Sequence, residues 1–163
     1  MQIKLVVIVA FLAAAGMLHS GEFHREIPRT SWEPIFFETI NKLTERSGLR
    51  PLREAPLPPD TTEIRIWIGL GLQPLQGLVI RKKGEEWHGQ HIVGNQSESA
   101  RSENHEITPT SGWELFWKQL LHFGVLTLPE PPLDDEPIND GTVYVVEINH
   151  ANRYRTYAYN NQN

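Results

Sequence analysis

The sequence predicts an α+β domain: an antiparallel sheet of four or five strands with two amphipathic helices against one face, in the order α-β-β-β-α-β-β. Three observations carry that expectation. Apolar residues recur at helical spacing in two stretches and at alternating spacing elsewhere, with proline or glycine separating one period from the next. A length of 163 residues, 39% of them hydrophobic and 21% charged, is enough for a single core. No cysteine is present, which excludes disulfide frameworks, cysteine zinc sites, iron–sulfur clusters and cysteine nucleophiles.

Residues 1–20 read as a secretory signal peptide. Lys4 supplies a positive charge, Leu5 to Ala15 form an unbroken apolar run, and Ala13-Ala14-Ala15-Gly16 with Leu18-His19-Ser20 offers small residues for processing. Cleavage is expected near Ser20, with Ala15 as the second position. The run is 11 residues long, whereas a helical membrane span needs about 20, so no stable transmembrane span is expected after removal of the signal. The mature chain, 21–163, is expected in the bacterial periplasm or outside the cell as one domain. Removing Lys4 and no acid leaves it slightly more acidic than the −5 of the full chain. Its one short basic run, Arg81-Lys82-Lys83, is followed at once by Glu85-Glu86, which is no footprint for nucleic acid.

The first helix is expected from Thr30. Thr30-Ser31-Trp32-Glu33 has capping-box spacing, Trp32, Ile35, Phe36, Ile40 and Leu43 recur at helical intervals, and Ser47-Gly48 ends the run. Pro34 falls in the first turn, where amides have no intrahelical partner. Residues 50–60 carry four prolines and read as a stiff connector; the P-x-x-P spacing of Pro56 and Pro59 offers a proline-recognition ligand as the alternative. From Glu63 the period becomes alternating. Ile64, Ile66, Ile68 and Leu70 share one face, opposite Glu63, Arg65 and Trp67, and Gln76–Lys83 and Glu85–Val93 complete a three-stranded meander.

Residues 94–110 hold only Ala100 and Ile107 as apolar side chains and read as a flexible loop. Within it, Asn95-Gln96-Ser97 is a glycosylation acceptor, relevant only in a eukaryotic host. Ser111-Gly112-Trp113-Glu114 repeats the capping-box spacing and opens a second helix, in which Trp113, Phe116, Trp117, Leu120 and Leu121 form one stripe before Gly124. Two tryptophans, a phenylalanine and two leucines, at about 1.5–3 kcal/mol each when fully buried, make this helix the expected organiser of the core. Val125 to Leu128 is expected as a short extended piece, and the prolines of 129–138 keep that segment irregular.

Val143–Ile148 and Tyr154–Tyr159 form a hairpin around an expected three-residue loop, His150-Ala151-Asn152. That register sets Glu147 opposite Arg155, Val145 opposite Tyr157 and Val143 opposite Tyr159 on one face, with Ile148 opposite Tyr154 on the other. The segments Trp113-Glu114-Leu115-Phe116-Trp117, Gly124-Val125-Leu126-Thr127-Leu128-Pro129, Asp140-Gly141-Thr142-Val143-Tyr144-Val145-Val146-Glu147-Ile148 and Tyr154-Arg155-Thr156-Tyr157-Ala158-Tyr159-Asn160 together resemble an uncharacterised group of small exported bacterial proteins. The resemblance covers roughly the C-terminal 50 residues of the chain. It implies an envelope or secreted setting and no known activity.

Constellations that carry chemistry are sparse. His88 and His91 are three apart, which puts them on opposite faces of a strand, so no metal site is expected there. Glu136 to Glu147 imitates a calcium loop at positions one, five, six and twelve, but Ile138 stands at position three and the flanks are strand-like. No Gly-x-Ser-x-Gly elbow is present, and Gly69-Leu70-Gly71 lacks the third glycine and the helix of a phosphate cradle. No cofactor is implied. Two functional expectations follow. The first is a non-catalytic exported domain whose strand residues Arg153, Arg155, Tyr157 and Tyr159 meet an envelope protein or a glycan, since Tyr and Arg are enriched at such contacts. The alternative is a small exported hydrolase, which requires at least two of His88, His91, His122, His150, Asp140 and Glu147 to converge in one pocket.

Overall fold

A computed structural model describes residues 22–29, 32–70, 74–94, 102–129 and 141–162. The signal segment 1–20, the Thr30-Ser31 cap, the glycosylation acceptor at Asn95, Asp140 and the segment 136–140 lie outside the described residues. The element order is β1 (His24–Glu26), α1 (Trp32–Arg46), β2 (Thr61–Ile68), β3 (Gln76–Lys83), β4 (Glu86–Val93), β5 (Glu103–Glu106), α2 (Trp113–His122), β6 (Gly141–His150) and β7 (Arg153–Gln162). The strands make one seven-stranded sheet in the order β1-β7-β6-β2-β3-β4-β5, antiparallel except where β1 runs parallel to β7.

This corrects the expected antiparallel sheet of four or five strands. The two additional strands are the edges, His-Arg-Glu and Glu-Asn-His-Glu, which carry no apolar alternation; each is held by backbone pairing to its single neighbour. β5 lies inside the stretch expected as a loop. The helices do not share a face either. Phe37, Ile40 and Leu43 of α1 pack with Trp67, Val79, Ile92, Val145 and Ala158, whereas Trp117 and Leu120 of α2 pack with Ile64, Val146, Ile148 and Tyr157, which alternate with the first set along the strands. Both faces of the sheet carry apolar rows, so each takes one helix.

α1 and not α2 organises the core. Trp32, Phe37, Ile40, Leu43 and Thr44 of α1 are buried, and no residue of α2 is. The buried stripe of α1 is turned from the expected one, with Phe37 inside and Ile35 65% exposed. Both helices end in the same way: Gly48 (φ 68°) and Gly124 (φ 73°) are left-handed, and the amides of Leu49 and Val125 reach back to Thr44 O and Leu120 O. At its start α2 has no side-chain cap, because Gly112 at φ 77° occupies that position. Residues 125–127 form a turn and not an extended piece, with the Thr127 amide on Gly124 O.

The C-terminal hairpin is shifted by one residue from the expected register. Its loop has two residues, Ala151 (φ 49°) and Asn152 (φ 61°), both left-handed, the turn whose twist matches that of the flanking strands. Glu147 therefore faces Thr156, Ile148 faces Arg155, Val146 faces Tyr157 and Tyr144 faces Tyr159. The shift moves the even-numbered residues of β7 under α1 and keeps Arg153, Arg155, Tyr157 and Tyr159 together on the α2 face.

Two tryptophans fix the spacing of the layers. Trp67 is fully buried opposite Gly77 on the α1 face, and a Cβ built on Gly77 would stand 2.3 Å from its Cζ3. On the α2 face a Cβ on Gly89 would stand 2.4 Å from Cη2 of Trp113, which stacks on Trp87 at 5.5 Å between ring centroids. Gly77→Ala is therefore expected to lower unfolding stability in urea by about 1–3 kcal/mol through overpacking. Unchanged stability would contradict this account of the Trp67 site.

Candidate functional site

The α1 face holds a buried polar layer. Glu147, 2% exposed, accepts hydrogen bonds from Trp67 Nε1 at 2.7 Å and from Tyr154 OH at 2.9 Å, joining β2, β6 and β7. Beside it, buried Arg65 donates to Glu63 and to the Arg50 carbonyl, and Asn149 Nδ2 donates to Leu52 O and Ala55 O, each at 3.1 Å. The proline-rich connector lies over this end of the sheet because its carbonyls are satisfied there. Arg53 completes the cover, its guanidinium 3.4 Å from the Phe37 ring centroid and 2.6 Å from Glu33. Burial alone would lower the pKa of Arg53, but the neighbouring Tyr154 and Glu33 outweigh it and raise it. Burial, reinforced by Glu147 and opposed by Arg53, holds the Tyr154 hydroxyl far above the ordinary tyrosine value. This layer is sealed by α1 and the connector and offers no access to a substrate.

The α2 face is open. A ten-residue helix is about 15 Å long, while a seven-stranded sheet is about 30 Å across, so α2 cannot cover it. Between the C-terminal end of α2 and β7 lies a groove of about 740 Å³. Its floor is Ile66, Tyr144, Val146 and Tyr157, and its wall is Leu120, Phe123, Val125, Leu128 and Pro129. Tyr159 stands at its side, 51% exposed, and Phe123 is 71% exposed.

The four strand residues expected to form a surface share this face but do different work. Arg153 is exposed and pairs with Glu26. Arg155 lies largely covered: its guanidinium faces Glu26 and donates to the carbonyls of Leu126 and Leu128, which fastens the turn after α2 to β7 and β1. Tyr157 is buried in the groove floor, its hydroxyl donating to Val125 O at 3.2 Å; burial raises its pKa, against the opposing charge of Arg155. Of the four, Tyr159 and Arg153 are exposed, and Arg153 is engaged by Glu26. Sequence reasoning missed Phe123, Leu120, Ile66 and Tyr144. The available signal was Phe123 itself, a large apolar residue immediately before the helix-ending Gly124.

The groups a hydrolase would need are dispersed. His88 is exposed on the α1 face, His91 bonds Gln76 at 3.0 Å on the other, and His122 packs on Phe123 at the end of α2. His150 Nδ1 lies 2.7 Å from Thr62 Oγ1, its cross-strand neighbour, while Glu147 is sealed on the opposite face. Among the described residues no hydrogen bond joins two of these groups, and no three His, Asp or Glu side chains are placed to hold a metal. No described helix is long and apolar enough to cross a membrane. Comparison of the chain with protein-family models, with curated proteins and with solved structures gives no match.

Tyr154 and Tyr157 hold their protons in the folded chain above the ordinary tyrosine value, whereas in the unfolded chain they lose them near pH 10. Folded values above unfolded ones give stability that is fully present below about pH 10 and is lost as pH rises from there. Urea unfolding followed from pH 7 to 11 is expected to show a plateau, then a fall, and Tyr154→Phe is expected to flatten that fall. The same variant should cost about 1–3 kcal/mol at pH 7, because buried Glu147 loses a donor. An identical alkaline profile in the variant would contradict the assignment.

Proposed function

We propose that this chain is a non-catalytic binding domain of the bacterial envelope or extracellular space, and that the groove between α2 and β7 receives an apolar segment of a partner protein. The charge, apolar and small-residue order of residues 1–20 supports export. The observation that carries the binding reading is the groove, in which half-buried Ile66 and Tyr144 and buried Val146 and Tyr157 meet a helix end bearing an exposed phenylalanine. Soluble chains seldom leave large contiguous apolar surface unused, and an aromatic at the lip of a concave apolar site is the usual anchor of a protein contact. The hydrolase alternative has no support in the arrangement of His88, His91, His122, His150 and Glu147. A glycan would find few polar groups in the groove to bond its hydroxyls.

The test is a photoreactive phenylalanine analogue introduced at Phe123, with a control at Ile35 on the opposite face, in cells that export the chain. The expected outcome is a discrete protein adduct in the envelope or medium fraction from position 123 and none from position 35. With the captured partner in hand, Phe123→Ala should weaken binding at least tenfold, the usual effect of truncating an aromatic anchor. Equal labelling from both positions, or binding indifferent to Phe123→Ala, would overturn the proposal.

A further inference from the structure

We infer that two copies of this chain pair through the outer edge of β7, forming a dimer with one continuous sheet. β1 covers only the beginning of that edge, pairing His24, Arg25 and Glu26 with Arg153, Tyr154 and Arg155. Pro28 follows two residues later and supplies no amide to extend the ladder. Among the described residues no strand lies beside Thr156 to Gln162 on that side, although β7 continues in regular pairing with β6 to Gln162.

The direction of the free hydrogen-bonding groups follows from one contact. The His24 amide donates to Asn152 O across the edge, so the backbone groups of Asn152 and Tyr154 point outward. Strand alternation then aims those of Thr156, Ala158, Asn160 and Gln162 the same way. An unpaired row of this kind is a template for another strand, and proteins guard it with lysine, proline or inward charge. The segment Thr156-Tyr157-Ala158-Tyr159-Asn160-Asn161-Gln162 itself has neither charge nor proline. The opposite edge of the sheet is guarded, since β5 is four residues long and carries Glu103 and Glu106.

Self-pairing satisfies the geometry. An antiparallel arrangement about a two-fold axis that avoids β1 sets Ala158 opposite the partner's Asn160, a pair that joins outward-pointing groups; Thr156, whose amide the parallel register directs to Glu26, falls opposite the partner's Gln162 at the end of the ladder. At the axis Tyr159 then faces its own copy in a pair without backbone hydrogen bonds, where side chains approach most closely. Tyr159 is half exposed in the single chain. A C2 interface requires such a self-complementary patch. The dimer does not depend on the groove having an occupant, since its strands pair through backbone groups of the edge; Tyr159 also stands at the side of the groove.

Sedimentation velocity over a hundredfold concentration range, on the chain purified as the cell exports it, is expected to show a concentration-dependent species of twice the mass of one chain. Tyr159→Lys, which places two positive charges at the axis, should weaken it at least tenfold while leaving the circular dichroism spectrum unchanged. Because the natural chain has no cysteine, Tyr159→Cys provides a single probe. It should oxidise to a disulfide-linked dimer at least tenfold faster than Leu115→Cys, whose exposed position lies on α2. A chain that stays monomeric throughout, a dimer indifferent to Tyr159→Lys, equal oxidation of the two cysteine variants, or an edge taken up by an unrelated partner would each overturn the inference.

Discussion

The fold depends on satisfying Glu147. A side chain with hydrogen-bonding oxygens cannot stand in the middle of a sheet, 2% exposed, without donors, since an unmet buried polar group costs about 1–3 kcal/mol. Trp67 and Tyr154 supply those donors from the strands on either side of β6. The indole is held under α1 with Gly77 opposite it, and the tyrosine lies beneath Arg53 of the connector. The one-residue shift of the hairpin belongs to the same constraint. With a two-residue loop, Tyr154 and Glu147 fall on one face of the sheet, so the tyrosine hydroxyl can reach the carboxyl.

This arrangement makes the two faces unequal. On one side polar groups, the connector and a fifteen-residue helix cover the middle of the sheet. On the other a shorter helix leans on Gly89 through Trp113, and the turn that follows it is tied to β7 by Arg155 and by the hydroxyl of Tyr157. What remains uncovered is apolar and lies where the chain turns after α2. This surface is framed by a turn whose carbonyls are fastened to β7 by Arg155 and Tyr157.

Much of the fold was legible, and the errors have physical causes. Strands β2, β3, β4, β6 and β7 show themselves through β-branched and aromatic alternation, and both helices through their periodic apolar residues. The edges β1 and β5 are polar segments held by backbone pairing to a neighbour, with Glu26 of β1 also facing Arg153 and Arg155, a fact no local pattern records. Aromatic weight misled the choice of core helix: the tryptophans of α2 are large, but their positions leave them half-buried, while α1 buries Phe37 and Ile40 almost wholly. On β2 the face bearing Glu63, Arg65 and Trp67 reads as the polar side and is the more deeply buried one, because its charges pair with each other and with connector carbonyls. Of the expected surface, Tyr159 stays outside, whereas Tyr157 and Arg155 were drawn into packing by the turn at Val125 to Leu128, whose position depends on the whole of α2.

The bond from Trp67 to Glu147 can be watched directly. The chain contains five tryptophans, and hydrogen exchange of their indole N–H groups, resolved by nitrogen-edited NMR, reports how each is held. The account predicts that the Trp67 indole proton exchanges only when the whole molecule unfolds, at the rate of the slowest backbone amides of β2 and β6. Exchange of Trp67 as fast as that of Trp87, whose indole bonds exposed Glu114, would contradict it.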